Sequence, residues 1–346
     1  MRHFIAFISV VFLGLGLYFL KFQNQTVAPV TAQKPLLHVI TYSSFAADWG
    51  PGPLLKTEFE KTCNCEVKFL EVADSGLLIQ RLQMDGAKMG VDLVVGMDQF
   101  DLDKAKNKLP WRDVGAMDVK WVPEVQDATS LNTFVPFDWG FVAFNTRKGE
   151  LSLTPTSLKD LLNPSLKGQI ALIDPRTSSP GMQFVFWVIQ TMGLSEGESF
   201  LKSMVAQAHS FSPGWSVAYG LFQKKQAAMA LSYITSPIYH LVEEKNEDYI
   251  SLEFQEGHPQ QIEFMAVPEF CRNCDLAENF MRFMLSEPGQ RIIMNKNFMF
   301  PVLTGVIAGT PFESLPPYKK VAPFRVPTEE EIKGWNEVWN RSRQQP

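Results

Sequence analysis

The sequence predicts an α/β protein of two lobes that close about a hinge, and three observations predict it. Residues 36–97 alternate strand and helix, as a parallel layer requires. Residues 168–234 do so again with different material. Two segments suit a crossing between lobes: 133–145, which alternates apolar residues and is too long for one compact layer, and 251–269. A chain of 346 residues is long enough for two cores, at roughly 100 to 200 residues per domain.

The elements follow in order. LLHVITYSS (36–44) reads as a buried strand. The helix at 53–63 starts on Pro53, where a missing N–H costs little, and offers Leu54, Leu55 and Phe59 as its apolar face. Strand 65–72, helix 76–87 and strand 91–97 come next. In open α/β sheets ligands sit beyond the carboxyl ends of the strands, so the loops beginning at Tyr42, Asp74 and Asp98 converge on one edge. TFVPFDWGFVAFN (133–145) is the first crossing. Strand 168–174, the loop DPRTSSPG (174–181), helices 182–192 and 196–208, the loop HSFSPGWS (209–216), helix 216–223 and strand 228–234 build the second lobe, and 251–269 leads back. Helices 275–285 and 287–294 precede a terminal helix from Thr328; Thr328 and Glu331 fit a capping box, and Ile332, Trp335 and Trp339 share a face. The expected division is 1–35 as an N-terminal segment with linker, 36–137 with 262–346 as one lobe, and 138–261 as the other.

Hydrophobic residues at 45% against 20% charged describe a packed globular chain rather than a disordered one. A net charge of −5 without any basic run argues against nucleic acid as a partner. Residues 4–20 are uninterruptedly apolar behind Arg2 and His3, which no soluble helix needs on every face. This is an export segment, read either as a cleaved signal peptide with weak cleavage candidates in TVAPVTA or as an uncleaved signal-anchor. Without residues 1–35 the charge becomes −8, since Arg2, Lys21 and Lys34 go and no acid goes with them. Cys63 and Cys65 (CNC) and Cys271 and Cys274 (CRNC) suit two local disulfides in an oxidising compartment, out of three possible pairings. A zinc site is the alternative, with CxC a poor match to the usual ligand spacer.

Catalytic constellations are thin: there is no HExxH, GxSxG or phosphate-binding P-loop, and the five histidines (3, 38, 209, 240, 258) are scattered. The stronger signal is aromatic. Tyr42, Trp49, Trp215, Tyr233 and Tyr239 fall at strand ends or in Gly/Pro-rich loops. Core packing accounts for any one of them, but five in converging loops make an aromatic box. Such a box suits a flat cationic or heteroaromatic ligand, at ~0.5 to 2 kcal/mol per cation–π contact, with Asp74 as countercharge. The loop Thr177 to Gly181 opens a helix and suits a phosphate, although ordinary helix-start chemistry has the same composition.

At these residues the chain resembles a family. YSSFAADWGPGP (42–53), CNCEV (63–67), FVPFDWGFVAF (134–144), DPRTSSPG (174–181), GWSVAYGLF (214–222) and LSYITSPIYHLVEEKNEDY (231–249) resemble the periplasmic thiamine-binding proteins of bacterial ABC importers, and the likeness runs from about residue 36 to 304. The resemblance implies an α/β, two-lobed type II periplasmic-binding-protein fold with a double-crossing hinge. It implies thiamine, thiamine monophosphate or thiamine diphosphate as ligand, delivery to an inner-membrane permease with its ATPase, a periplasmic address, and no cofactor, metal or catalysis. Carried over by motif, the ligand contacts are Asp74 and Ser75, Ser178 and Ser179, Trp215, Tyr233, Ile234, Thr235, Ser236, Pro237 and Tyr239, with Tyr42 and Trp49 as the aromatic pair of the first loop. Phe298 stands where the family commonly has Trp, and Ser75 where Gly is familiar; Cys271 and Cys274 have no expected counterpart. The alternatives are a ferric-ion or polyamine receptor of the same fold, which would leave the tryptophans idle, and a thiaminase-like enzyme, which needs a cleft cysteine that 66–270 does not contain.

Overall fold

The computed structural model describes residues 34–129 and 132–344, so the apolar segment 4–20 lies outside the described residues. Among those described, no helix is long and apolar enough to cross a membrane. The chain runs β1 (Leu36–Tyr42), α1 (Ser43–Ala46), α2 (Gly52–Cys63), β2 (Glu66–Val72), α3 (Leu78–Met89), β3 (Leu93–Asp98) and α4 (Leu102–Lys108). β1 lies between β2 and β3 and is parallel to both, which is the layer expected of this alternation. Leu55 and Phe59 of α2 and Leu78, Ile79 and Leu82 of α3 cover its face, burying the apolar side of each helix in a first core.

After β4 (Val135–Arg147) come β5 (Ile170–Ile173), α5 (Ser179–Gln207), β6 (Ser210–Ser212), α6 (Trp215–Gln223), β7 (Met229–Tyr233), α7 (Ser236–Glu243), β8 (Tyr249–Ser251) and β9 (Gln260–Ala266). α8 (Cys274–Met284), α9 (Glu287–Asn297), β10 (Phe300–Pro301) and α10 (Glu329–Arg343) complete it. The strand order is β2-β1-β3-β9-β4-β7-β5-β6, with β8 and β10 also pairing with β4. Every residue of β4 is buried, because the strand serves both halves. Its Val135–Phe141 stretch pairs antiparallel with β9, and Val142–Thr146 pairs with β7. Pro136 is tolerated because the register shifts between it and Asp138, the irregularity where a strand can accept a missing donor.

A second core gathers β5, β7, α5 and α6 around Phe144, Trp187 and Phe222. The chain returns to the first core between Phe254 and Ile262, as the segment 251–269 suggested. It then crosses again: Phe312 packs in the first core, but Trp335 and Trp339 of α10 pack in the second. The terminal helix therefore departs from its expected place in the 262–346 portion of the first lobe. Its indoles are drawn to an apolar surface near Phe211 and Phe186 that local pattern cannot reveal. The capping box is present, with Thr328 Oγ1 accepting from the Glu331 N–H and Glu331 accepting from the Thr328 N–H.

Two local expectations also change. HSFSPGWS contains β6, a three-residue parallel strand beside β5. Helices 182–192 and 196–208 form one run, α5, interrupted at Gly193, whose φ of 74° only glycine adopts freely. Both disulfides are formed, Cys63–Cys65 between α2 and β2 and Cys271–Cys274 at the start of α8.

Trp339→Ala should cost ~3 to 5 kcal/mol of stability, the usual penalty for emptying a large buried site. Urea unfolding measures it, and a midpoint equal to wild type would mean that α10 is not part of the second core.

Candidate ligand-binding site

The carboxyl ends of β1, β2 and β7 open into a cavity of about 530 Å³. Tyr42, Trp49, Trp215, Tyr233 and Tyr239 all line it, together with Asp74, Ser75, Ser236 and Phe298. Tyr42 ends β1, and its ring lies against Gly96 of β3, where a Cβ would come within 2.3 Å of the ring. Its hydroxyl donates to Glu263 Oε2 at 2.7 Å. Tyr233, at the end of β7, donates to Gln261 Oε1 at 3.1 Å, and the amide of Gln261 donates to Glu263 Oε1 at 3.1 Å. Gln261 and Glu263 are two apart on β9 and share a face. One carboxyl thus holds aromatic walls supplied by both halves of the sheet.

Asp74 performs a similar service for Trp215. Its Oδ1 accepts from the Ser75 N–H at 2.8 Å, and its Oδ2 accepts from the Trp215 N–H at 2.8 Å, at the N-terminus of α6. Gly214 makes this approach possible, since a Cβ there would meet Asp74 Oδ2 at 2.7 Å. The Trp215 indole lies 5.0 Å from Tyr219, nearly parallel, and donates to Ser232 Oγ at 2.8 Å. Trp49 is 53% exposed and tilts toward Trp215 at 6.5 Å, forming the rim. Phe298 ends α9 with φ at 53°, an uncommon conformation for an aromatic residue, and meets Tyr239 edge-on at 5.3 Å.

The floor holds Glu263, with Asp138 buried behind it. Asp138 of β4 and Glu263 of β9 are direct cross-strand partners, both buried. Burial pushes the Asp138 carboxyl up to about 7. Burial, and then the charge of Asp138, holds Glu263 well above the usual carboxylate range. Asn297 donates to Asp138 Oδ2 at 2.7 Å and to Tyr42 Oη at 3.0 Å, whereas Asp138 Oδ1 is buried without a donor. Two carboxyls so placed resist ionising together, and one proton between them relieves the repulsion. Burial also raises Asp74, against the hydrogen bonds from Trp215 and Ser75. A floor of partly charged carboxyls under aromatic faces attracts a flat cation.

Five expected contact residues stay off the wall. Ser179 Oγ donates to Asp98, and Ser178 is buried beside Asp74, leaving Pro180 as that loop's part of the wall. Ile234 packs in the first core, Thr235 is fully buried at the start of α7, and Pro237 sits in the first turn of that helix. The wall also includes residues that sequence reasoning missed, among them Tyr219, Glu243, Glu263, Lys296, Asn297 and Met299. Asn297 and Met299 flank Phe298 in the chain, so the position of Phe298 was a usable signal. Glu263 lies inside a strand and carried none. Among the described residues no three His, Cys, Asp or Glu side chains are placed to hold a metal ion.

Residues 91–334 match the family model described as bacterial extracellular solute-binding protein. The thiamine-binding periplasmic protein of Salmonella typhimurium is 41% identical over 289 residues, 83% of this chain and 86% of that one. The protein of the same description from Haemophilus influenzae is 33% identical over 326 residues, 91% and 94% of the two chains. A solved periplasmic thiamin binding protein superposes with a TM-score of 0.82 at 36% identity, covering 90% of this chain and 97% of that one. A ferric binding protein from Campylobacter jejuni, at 18% identity and a TM-score of 0.70 over 89% and 99%, shares the fold. The type II periplasmic-binding-protein architecture expected from the sequence is the architecture found.

The buried acids give stability a definite pH slope. The buried His240 and His258, both held low by burial, raise stability as pH climbs through their ordinary value of about 6.5 and add no slope from roughly a unit above it. Asp138 and Glu263, raised when folded, then bind more protons in the native state than in the unfolded chain, and stability falls as pH rises toward their folded values. As pH rises through about 7, the thermal midpoint of Glu263→Gln should gain on that of wild type. Parallel slopes for the two proteins would show that this pair does not carry the effect.

Proposed function

The chain belongs to the bacterial extracellular solute-binding proteins, among their thiamine-binding periplasmic members, and we propose that its cavity captures thiamine and thiamine phosphates for delivery to an inner-membrane ABC permease with its ATPase. The observation that carries this reading is the convergence of five aromatic side chains on one cavity with an acidic floor. Thiamine offers two flat rings and a permanent positive charge on one of them. Aromatic faces attract that charge and cover the rings, while Asp74 and the Asp138–Glu263 pair supply a negative field behind them. A volume of about 530 Å³ suits a ligand of this size.

Binding needs no bond to change, and the curated relatives are named as binding proteins. A thiaminase-like reaction requires a thiolate, whereas all four cysteines are in disulfides. A ferric site would draw on tyrosine hydroxyls; those of Tyr42 and Tyr233 are hydrogen-bonded to Glu263 and Gln261, and that of Tyr219 to His240 Nε2. The organic cation is therefore the better match. We place the chain in the periplasm, with residues 4–20 either removed at export or retained as an anchor in the inner membrane.

Trp215→Ala and Tyr233→Ala should each weaken thiamine binding by ~1 to 3 kcal/mol, from lost stacking area and cation–π attraction. Calorimetry on the purified, folded variants measures this. Wild-type affinity in both would remove the aromatic walls from the ligand site and with them this reading.

A further inference from the structure

The cavity carries one cationic side chain among the described residues that line it, Lys296, near the end of α9. Its Nζ lies 3.2 Å from Oε1 of Glu243, at the end of α7, and both side chains are partly exposed, at 37% and 42%. Glu243 also lines the cavity. An isolated lysine at this position would repel a cationic ligand; paired with Glu243 it is neutralised. Such a half-exposed pair contributes little to stability and opens readily. A phosphate group, carrying more charge than a carboxylate, outcompetes Glu243 for the ammonium. Of the other anion site suggested by the sequence, Ser179 Oγ is committed to Asp98, which leaves Ser178, buried beside Asp74, as its remaining hydroxyl.

We propose that the Glu243–Lys296 pair is the specificity element that sets the balance between unphosphorylated and phosphorylated ligand. This rests on the thiamine reading of the cavity. With thiamine, Glu243 stays on Lys296 and shields its charge; with a phosphorylated ligand, Lys296 exchanges the carboxylate for the phosphate.

Affinities for thiamine and thiamine diphosphate, measured by calorimetry on wild type, Lys296→Gln, Lys296→Arg, Glu243→Gln and the double variant Ser178→Ala with Ser179→Ala, test it. The ratio of diphosphate to thiamine affinity should fall about tenfold or more in Lys296→Gln, recover in Lys296→Arg, and rise above wild type in Glu243→Gln. An unchanged ratio in both Lys296→Gln and Glu243→Gln would overturn the proposal, as would a selective loss of diphosphate binding confined to the double serine variant. A wild-type protein that binds neither ligand would instead sink the thiamine reading, so the two failures are distinguishable.

Discussion

β4 and β9 pair antiparallel along the middle of the sheet, and the Tyr42 and Tyr233 walls of the cavity are held by reference to them. β4 is the strand shared by both cores, so a change in its position would be felt on both sides. β9 presents Gln261 and Glu263 on the face where the two halves meet, and from that face hydrogen bonds reach Tyr42 and Tyr233. Asn297 adds the end of α9 to the same network through Asp138. The cavity is built from parts of remote segments, and these hydrogen bonds tie several of them to one central pair of strands.

The network has a thermodynamic cost. Burying Asp138 beside Glu263 strips both acids of much of their hydration, and the native state answers by keeping a proton between them. A structural core would exclude such a pair. A site for a cation has reason to keep it, since a positive charge arriving overhead recovers part of what burial removed. The left-handed conformation of Phe298 fits the same pattern: local strain is tolerated where the resulting ring position forms the wall of a cavity.

Small residues set the distances. Gly96 lets the Tyr42 ring lie against β3, and Gly214 lets the Asp74 carboxylate reach the first N–H of α6. Each replaces a side chain with an approach of aromatic or charged groups that any Cβ would block. The disulfides act elsewhere, closing the short connections after α2 and before α8, and leave the aromatic walls to the hydrogen-bond network.

Local pattern determined much of this molecule. The alternation of strand and helix, the convergence of strand ends, the extended crossings and the aromatic residues in loops were all legible, because periodicity of side chains and Gly/Pro chemistry act over a few neighbours. The five box aromatics and Asp74 were readable for that reason, and they do share one cavity. What only the tertiary structure decided were relations between segments far apart in the chain. Glu263 looks like any acid in a strand until β9 is laid against β4, 125 positions away in its pairing with Asp138. Ser178 and Ser179 read as exposed loop hydroxyls until Asp98 takes one and burial hides the other. The terminal helix shows its apolar stripe in the sequence, yet which core receives that stripe depends on surfaces assembled from residues more than a hundred positions earlier. Burial and pairing across such distances are properties of the folded chain, and no local sequence signal carries them.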